Sequence, residues 1–392
     1  MRLFQSLVAV IAVLPFTNAF TNPIRAHSGS DPHMVFSDGL YYLMTTTWRN
    51  LTIAASPTLE GLKTAPQKVV WKDTNPQRCC NMWAPELHKV EGRWYIYYTA
   101  GQNTTDYVPT QRVWVLRGGS ESPLSEEYTF AGQITPPNYD QGMLDAVSSA
   151  GKMFGMNARM LTSDQTIYEI NGKNYFMVSA FTTVSNPMLQ RHDRKSADPY
   201  HKQFSSTVSP ASNMIAALLT PNTTGPSSLL SVPTLEWETR GWAINEGPAG
   251  LTSPNGTNHF VFFSASGCNT EYYALGAVLL TPGADPLVTE SWTKLPKPFF
   301  TTANGLYGPG HNAFFKSPDG KEDWNVFHAN PVVDGGCGAT RQTFVQRVTW
   351  GADGMPVLGT PLAGGTELVA PSGEKKSERG VNMEFLQGQD QI

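Results

Sequence analysis

The sequence predicts an all-β fold, and more closely a five-bladed β-propeller, because one short pattern occurs five times and no helical period is sustained elsewhere. Each copy begins with a polar or charged residue, followed by a short apolar strand, a glycine-containing turn and an aromatic-rich strand. Asn-Gly and Asp-Gly pairs between alternating apolar runs are strong hairpin signals. The five turns are Asp38-Gly39, Glu91-Gly92, Asn171-Gly172, Asn255-Gly256 and Asp319-Gly320.

The spacing of the copies favours propeller blades over a solenoid. A blade needs four strands and roughly 40–50 residues, and the distances between the copies leave room for this and for inserts. A two-sheet sandwich would also give many short strands, but the five equivalent hairpins favour the propeller. The copies begin at Asp31, Glu86, Asp164, Glu246 and His311.

The first residues have the features of a secretory signal peptide over residues 1–19. Arg2 gives a basic start, an apolar run extends from Leu7 to Pro15, and small residues precede the predicted cleavage site. The apolar run is too short to span a bilayer. We therefore expect a secreted, extracellular protein with one propeller domain at 20–370 and a polar tail at 371–392.

Composition argues against nucleic-acid and membrane partners. Charged residues make up 15% of the chain, its net charge is −4, and aromatic residues make up 11%. No basic patch or cationic amphipathic helix is apparent. A neutral, aromatic-rich, secreted protein is better matched to carbohydrate, and four sequons predict N-glycans at Asn50, Asn103, Asn222 and Asn255.

Four cysteines are too few for a disulfide scaffold and allow three pairings. Cys268 follows the fourth hairpin and Cys337 the fifth, so equivalent places on adjacent blades predict a Cys268–Cys337 bond. Cys79 and Cys80 are then left to form a vicinal disulfide. Zinc is disfavoured, since no second C-x-x-C or matching histidine pair is present.

The main chemical signal is a set of carboxylates at similar places in the pattern: Asp31, Asp164 and Glu246. Cleavage of a glycosidic bond needs a proton donor for the leaving oxygen and a base or nucleophile. A third carboxylate could raise the pKa of the donor. Glu86 also lies near the start of a copy, but we expect it to be structural or at the rim. Asp145 is a rival for Asp164, but no hairpin follows it.

Five motifs in order carry a resemblance to glycoside hydrolase family 43. They are S-D-P, W-A-P-E, S-D-Q-T-I-Y before N-G-K-N-Y-F, N-E-G-P and Y-G-P-G-H-N. The family consists of five-bladed propellers that invert configuration and need no cofactor for chemistry. The resemblance implies that Asp31 is the general base, Glu246 the general acid, and Asp164 the residue that orients the acid and modulates its pKa. The third motif departs from the commoner I-D-P or I-D-G.

The resemblance also implies three supporting residues. His311, otherwise an ordinary buried histidine, would face the central channel and contact a structural Ca²⁺. Trp83, otherwise a core aromatic residue, would wall the substrate pocket. Arg341, otherwise a surface arginine, would bind substrate with its fixed donors.

The function expected from these features is that of an exo-acting α-L-arabinofuranosidase on arabinan or arabinose-decorated plant polysaccharide. Many β-xylosidases of the family carry an additional C-terminal β-sandwich, for which too few residues follow the fifth hairpin. A β-xylosidase or an endo-arabinanase remains the alternative within the family. A non-catalytic carbohydrate-binding propeller is the alternative of another class. A fructan-cleaving propeller is disfavoured, because its E-C acid motif is replaced by E-G here.

Overall fold

The computed structural model describes residues 18–134, 161–183, 210–218 and 227–375, and these residues form an all-β protein with a propeller arrangement. The predictions of an all-β class and of a propeller are confirmed. The four-stranded antiparallel sheets of the described residues follow one another along the chain, and we number them in that order.

Each sheet is a meander in which consecutive strands pair. Sheet 1 contains β2 (His33–Ser37), β3 (Leu40–Met44), β4 (Leu51–Ser56) and β5 (Lys68–Trp71). Sheet 2 contains β6 (Cys80–Val90), β7 (Arg93–Gly101), β8 (Arg112–Arg117) and β9 (Thr129–Ile134). Sheet 3 contains β10 (Leu161–Ile170), β11 (Lys173–Thr183), β12 (Pro210–Leu218) and β13 (Ser227–Ser231).

The remaining sheets follow the same plan. Sheet 4 contains β14 (Asn245–Thr252), β15 (His259–Ala265), β16 (Ala274–Leu280) and β17 (Trp292–Lys294). Sheet 5 contains β18 (Tyr307–Lys316), β19 (Asp323–Asn330), β20 (Gln342–Trp350) and β21 (Pro356–Val357). The helical elements are short: α1 (Leu59–Leu62) and single 3₁₀ turns at Val108–Thr110, Glu236–Glu238 and Thr289–Ser291.

The predicted hairpin turns join the first two strands of each sheet. Both residues of the Asp38-Gly39, Glu91-Gly92 and Asn171-Gly172 pairs have positive φ, between 48° and 81°. Such a turn matches the right-handed twist of the strands that it connects. The first strand of each sheet contacts the first strand of the next, and β18 contacts β2. The first strands therefore surround a common axis.

The core is divided into apolar clusters that lie between neighbouring sheets. Tyr41 and Phe315 lie in the cluster between sheets 1 and 5, and Phe263 in that between sheets 3 and 4. Further clusters join sheets 1 and 2, sheets 2 and 3, and sheets 4 and 5. Both predicted disulfides, Cys79–Cys80 and Cys268–Cys337, are present.

The first and last described segments pair with each other in a separate two-stranded sheet. The strand β1 (Ala19–Thr21) pairs with β22 (Glu367–Val369), and Asn18 Nδ2 donates to the carbonyl oxygens of residues 374 and 375. The described residues thus include the last two residues of the predicted signal peptide and the first five of the predicted polar tail, up to residue 375. The rest of the predicted signal peptide and tail lies outside the described residues. No helix of the described residues is long and apolar enough to cross a membrane.

Asn22 ties the first described segment to sheet 5, because its buried side chain makes two hydrogen bonds to one residue of that sheet. Nδ2 donates to the Val345 carbonyl at 2.7 Å, and Oδ1 accepts from the Val345 N–H at 3.0 Å. We expect Asn22→Ala to lower the free energy of unfolding by about 2–5 kcal/mol, since both main-chain groups lose a buried partner. Urea denaturation measures the loss. The control is Asn18→Ala, whose amide is partly exposed, and an equal effect of both substitutions would contradict the assignment.

Candidate active site

The N-terminal ends of the first strands share a β-bulge, and this bulge places the predicted site residues. In sheets 2 to 5 two residues of the first strand lie opposite one residue of the second strand. Sheet 1 has the same arrangement, because Ser30 pairs with Thr46 and His33 with Met44, which leaves two residues of the chain before β2 opposite one residue after β3. The first residue of the bulge has positive φ in four sheets, at Asp31, Ala84, Gly247 and His311.

Aligning the bulges corrects the expectation that the carboxylates occupy equivalent positions. Glu246 precedes the bulge of its sheet, Asp31 is its first residue, and Asp164 is its second. The sequence pattern places Glu86 at the start of the second copy. In the structure it follows the bulge, at the position that His33 has in sheet 1. A bulge re-aims consecutive side chains, which allows three successive positions to serve one site.

Asp31 is a buried carboxylate surrounded by donors. Its Oδ2 accepts from the Thr46 hydroxyl at 2.6 Å, and its Oδ1 accepts from Arg341 Nη1 at 3.1 Å. The Nδ1 atoms of His311 and His328 lie 3.3 and 3.5 Å from the same Oδ1 atom. Burial opposes ionisation, but Arg341, the two histidines and Thr46 together hold the pKa of Asp31 well below its usual range. Asp31 is therefore an anion at any ordinary pH.

Glu246 has the opposite tendency. Burial, with a smaller contribution from the charge of Asp31, raises the pKa of Glu246 to about 7, although a hydrogen bond from Tyr273 and the charge of Arg341 act against this. The Tyr273 hydroxyl donates to Glu246 Oε1 at 2.7 Å. Glu246 can therefore hold a proton in mildly acidic solution, where Asp31 cannot.

Asp164 lies beside Glu246, since it accepts a hydrogen bond from the N–H of Gly247, the next residue in the chain. Burial and the charges of Glu246, Asp31 and Glu86 raise its pKa well above the usual range, and the Gly247 bond opposes this. Two carboxyl groups this close in a buried site resist carrying two charges and share protons as a pair. The structure thus brings all three sequence-predicted carboxylates together.

Arg341 and His311 also lie at this site, beside Asp31. Arg341 is buried, and besides Asp31 it donates through Nη2 to the Cys337 carbonyl oxygen, within the loop that the Cys268–Cys337 disulfide ties. His311 has its pKa lowered by burial and is neutral near pH 7. A Cβ at residue 247 would lie 3.2 Å from the His311 ring, at a φ of +57°, so glycine fits this bulge with the least strain.

Trp83 belongs to an aromatic corner with Trp48 and Tyr107. The three rings meet edge to face, with centroids 5.5, 5.6 and 6.4 Å apart. The corner is close to Asp31, because Ala84, next to Trp83, donates its N–H to the Thr46 oxygen that contacts Asp31. Trp48 is 38% exposed. Aromatic surface of this kind suits the apolar face of a sugar.

Among the described residues, His33, Glu86 and His88 form a cluster whose ligand atoms could approach a metal ion, with all three atoms within 4.8 Å. His33 Nδ1, however, accepts the N–H of Leu87 at 3.2 Å, so the proton of its neutral ring lies on Nε2, facing Glu86. His88 Nε2 lies 2.6 Å from Glu86 Oε2. A metal-bound histidine instead donates from its second nitrogen. The cluster is therefore better explained as one buried carboxylate that is hydrogen-bonded to His88 and has the His33 ring 3.9 Å away.

Three residues of the site were not found from the sequence: Tyr273, Thr46 and His328. None lies in a first strand, where the motifs are. Thr46 and His328 lie opposite the residue that precedes the bulge in their sheets, and Tyr273 precedes β16. The periodic pattern could have indicated Thr46 and His328, but only once the bulge had fixed the register. Asp145, the rival of Asp164, lies outside the described residues.

Comparisons with known proteins agree with this geometry. Residues 20–160 and 200–356 match the profile of Glycosyl hydrolases family 43. The chain is 32% identical to the extracellular exo-alpha-(1->5)-L-arabinofuranosidase of Streptomyces avermitilis, over 94% of this chain and 71% of that protein. It is 29% identical to the enzyme of the same name from Streptomyces chartreusis, over 79% and 82%. The crystal structure of an alpha-L-arabinofuranosidase from Lactobacillus brevis superposes with a TM-score of 0.69 and 26% identity, covering 88% of this chain and 98% of that one.

The raised pKa of Glu246 predicts a pH-dependent stability. Between the pKa of an unfolded glutamate and about 7, the folded protein holds a proton that the unfolded chain has lost, so stability falls as pH rises. Between pH 4.5 and 7.5 the free energy of unfolding should fall less in Glu246→Gln than in the wild type, by on the order of 3 kcal/mol. Urea denaturation across this range measures it, with the exposed Glu60→Gln as control. A variant with an unchanged pH slope would contradict the assigned pKa.

Proposed function

The chain belongs to glycosyl hydrolases family 43, and from this premise we propose that it is a secreted, inverting, exo-acting α-L-arabinofuranosidase that acts on arabinan or arabinose-decorated plant polysaccharides. Membership makes it a glycoside hydrolase, whose chemistry requires no cofactor. One observation carries the proposed mechanism: two carboxyl groups of a single buried site, Asp31 and Glu246, favour opposite protonation states.

Asp31 acts as the general base. It is ionised and its two oxygens are held by Thr46 and Arg341, so it can take a proton from a water molecule without reorienting. The water attacks the anomeric carbon as the glycosidic bond breaks, and Glu246 gives its proton to the leaving oxygen. The water proton ends on Asp31, the hydroxide on the sugar and the Glu246 proton on the departing alcohol. Such a mechanism requires about 6.5–9.5 Å between the two carboxyl groups.

Asp164 orients the acid and modulates its pKa. The Gly247 N–H ties Asp164 to the residue that follows Glu246, so the two carboxyl groups keep a fixed relation. Since the charge of Glu246 raises the pKa of Asp164, a charge on Asp164 must favour the protonated form of Glu246 by the same coupling.

Trp83 and Arg341 contribute to substrate binding in different ways. Trp83, with the exposed Trp48, offers an aromatic wall next to the base. Arg341 uses Nη1 on Asp31 and Nη2 on the Cys337 carbonyl. It therefore shapes the pocket by fixing Asp31.

Arabinose as the sugar is supported by the names of the two Streptomyces relatives and of the Lactobacillus brevis structure. Exo action is supported by the names of the two Streptomyces relatives. A β-xylosidase or endo-arabinanase would use the same carboxylates, so the sugar and the product length decide between them. A carbohydrate-binding propeller without activity would not need a buried glutamic acid beside an ionised aspartate.

Five blades, secretion and glycosylation complete the proposal. The contacts between successive first strands, closed by β18 on β2, support a five-bladed ring. Secretion is supported by the extracellular relatives and by the signal-peptide features of residues 1–19. Asn103 and Asn255 are exposed, as N-glycan acceptors must be, and Asn50 is half-buried. Asn222 lies outside the described residues.

The substrate test compares paired aryl glycosides and linear arabinan. We expect release of arabinose rather than xylose, single sugars from arabinan, and an anomeric configuration opposite to that of the substrate by NMR. Xylose release would favour the β-xylosidase, and oligomers from arabinan the endo-arabinanase.

Glu246→Gln tests the acid. We expect turnover of arabino-oligosaccharides to fall by ~10²–10⁴-fold, because general acid catalysis contributes about that much. An activated aryl arabinoside should lose far less, since its leaving group needs little protonation. Asp31→Asn should reduce the turnover of both the arabino-oligosaccharide and the aryl arabinoside. Wild type and variant that are equally inert but bind arabino-oligosaccharide would establish the non-catalytic alternative.

The Ca²⁺ predicted beside His311 fits the local donor set poorly. Calcium takes 6–8 oxygen ligands, whereas His311 offers nitrogen, and the nearby Asp31 Oδ1 already pairs with Arg341. An ion at this position would be held mainly by water, and no catalytic step depends on it. We therefore expect chelation to leave the Tm and the activity unchanged. A Tm that falls on chelation and recovers with added Ca²⁺ would contradict this.

A further inference from the structure

Tyr273 contacts the general acid but has no role in the mechanism given above. It is fully buried, and its hydroxyl donates to Glu246 Oε1 at 2.7 Å. A buried phenol aimed at a catalytic carboxyl group does more than fill space, because the bond that it makes differs between the two protonation states of that group.

The direction of this hydrogen bond is set by the main chain. The His311 N–H donates to Ser264 Oγ at 2.6 Å, so the serine hydroxyl hydrogen is available for another acceptor. Ser264 donates to the Tyr273 oxygen, and Tyr273 in turn donates to Glu246. A backbone N–H cannot act as an acceptor. The whole chain of hydrogen bonds therefore points towards the carboxyl group.

The ring of Tyr273 packs against two paired residues of sheet 5, His328 and Gly310. It stacks on His328, with centroids 5.7 Å apart and planes 4° from parallel. On sheet 5 it fills the space beside Gly310, where a Cβ would lie 2.3 Å from the tyrosine Cε1 atom. The second glycine of the G-P-G-H-N motif thus makes room for this ring. The hydroxyl has a fixed position relative to Glu246.

We propose that Tyr273 is a positioning residue for the general acid, which occupies Glu246 Oε1 so that the transferable proton lies on Oε2. The proposal rests on the proposed function, in which Glu246 protonates the leaving oxygen. As that proton leaves Oε2, the negative charge that develops on the carboxylate is met by a donor already in place. Preorganised donors of this kind stabilise the transition state without reorganisation.

The other charged groups around Glu246 come from three elements. Asp31 precedes β2, Asp164 lies on β10 and Arg341 precedes β20. The two carboxylates favour the protonated acid, whereas Arg341 and Tyr273 favour its ionised form. Tyr273 is the one among these four whose contribution can be removed without changing a charge.

Tyr273→Phe is the test, with kcat/KM measured against pH on an arabino-oligosaccharide and on an aryl arabinoside. Loss of the donor raises the pKa of Glu246, so activity should persist to higher pH and the basic limb should move up by roughly 0.5–1 unit. Turnover of the oligosaccharide should fall by ~10-fold or more, and that of the aryl arabinoside by less. A basic limb that coincides with that of the wild type would overturn the proposal.

Tyr41→Phe is the matched control, because Tyr41 is also fully buried but lies in the core between sheets 1 and 5. Tyr41→Phe should leave the basic limb of the kcat/KM–pH profile at its wild-type position. An infrared difference titration of the Glu246 carboxyl group in wild type and Tyr273→Phe needs no substrate, and it should show the same upward shift. An unshifted carboxyl would refute the role of Tyr273 even if no arabinoside were cleaved. Equal activity of Glu246→Gln and wild type on oligosaccharides would instead refute the proposed function.

Discussion

The site depends on one interaction, the hydrogen bond between the N–H at the first bulge residue of a sheet and a side chain of the preceding sheet. The main-chain N–H of Asp31 donates to His328 Nδ1. In the same way the N–H of Ala84 donates to Thr46 Oγ1, and that of His311 to Ser264 Oγ. These acceptors occupy equivalent positions, opposite the residue that precedes the bulge of their own sheet. A buried N–H without a partner would be costly. The bond therefore fixes these three first strands against their neighbours, and with them the side chains of the candidate site.

The exception to this pattern is informative. In sheet 3 the equivalent residue is Ala180, whose side chain has no acceptor, and the Gly247 N–H is bound by Asp164 instead. A structural role and the proposed catalytic role thus coincide in a single carboxyl group. The acceptors in the other sheets also serve the site: Thr46 donates onward to Asp31, and Ser264 onward to Tyr273. The network that fixes the first strands against their neighbours therefore also contacts the carboxyl groups of the site.

Much of the fold was readable from local residues, and the site only in outline. Asp38-Gly39 and Asn171-Gly172 predicted hairpins because their positive φ values are a local requirement, and the Cys268–Cys337 pair followed from equivalent loops. The sequence pattern placed the three carboxylates at equivalent positions, but relative to Asp31, Glu246 lies one position earlier in its bulge and Asp164 one position later. The sequence could not show this, since a bulge depends on pairing with another strand. The unusual glutamine of the third motif is explained only in three dimensions, where Gln165 donates to the carbonyl of Ala84 across the boundary of sheets 2 and 3.

The sequence by itself determined the β class, the repeat, the disulfides and the candidate carboxylates Asp31, Asp164 and Glu246, because these depend on residue type and spacing along the chain. Only the tertiary structure decided that Asp31 is ionised in mildly acidic solution, where Glu246 can still hold a proton. Both are buried carboxyl groups, and burial raises the pKa of each. They differ in what surrounds them: Arg341 contacts Asp31 directly, and neighbouring carboxylates oppose the ionisation of Glu246. Charges that come from distant parts of the chain therefore separate the base from the acid.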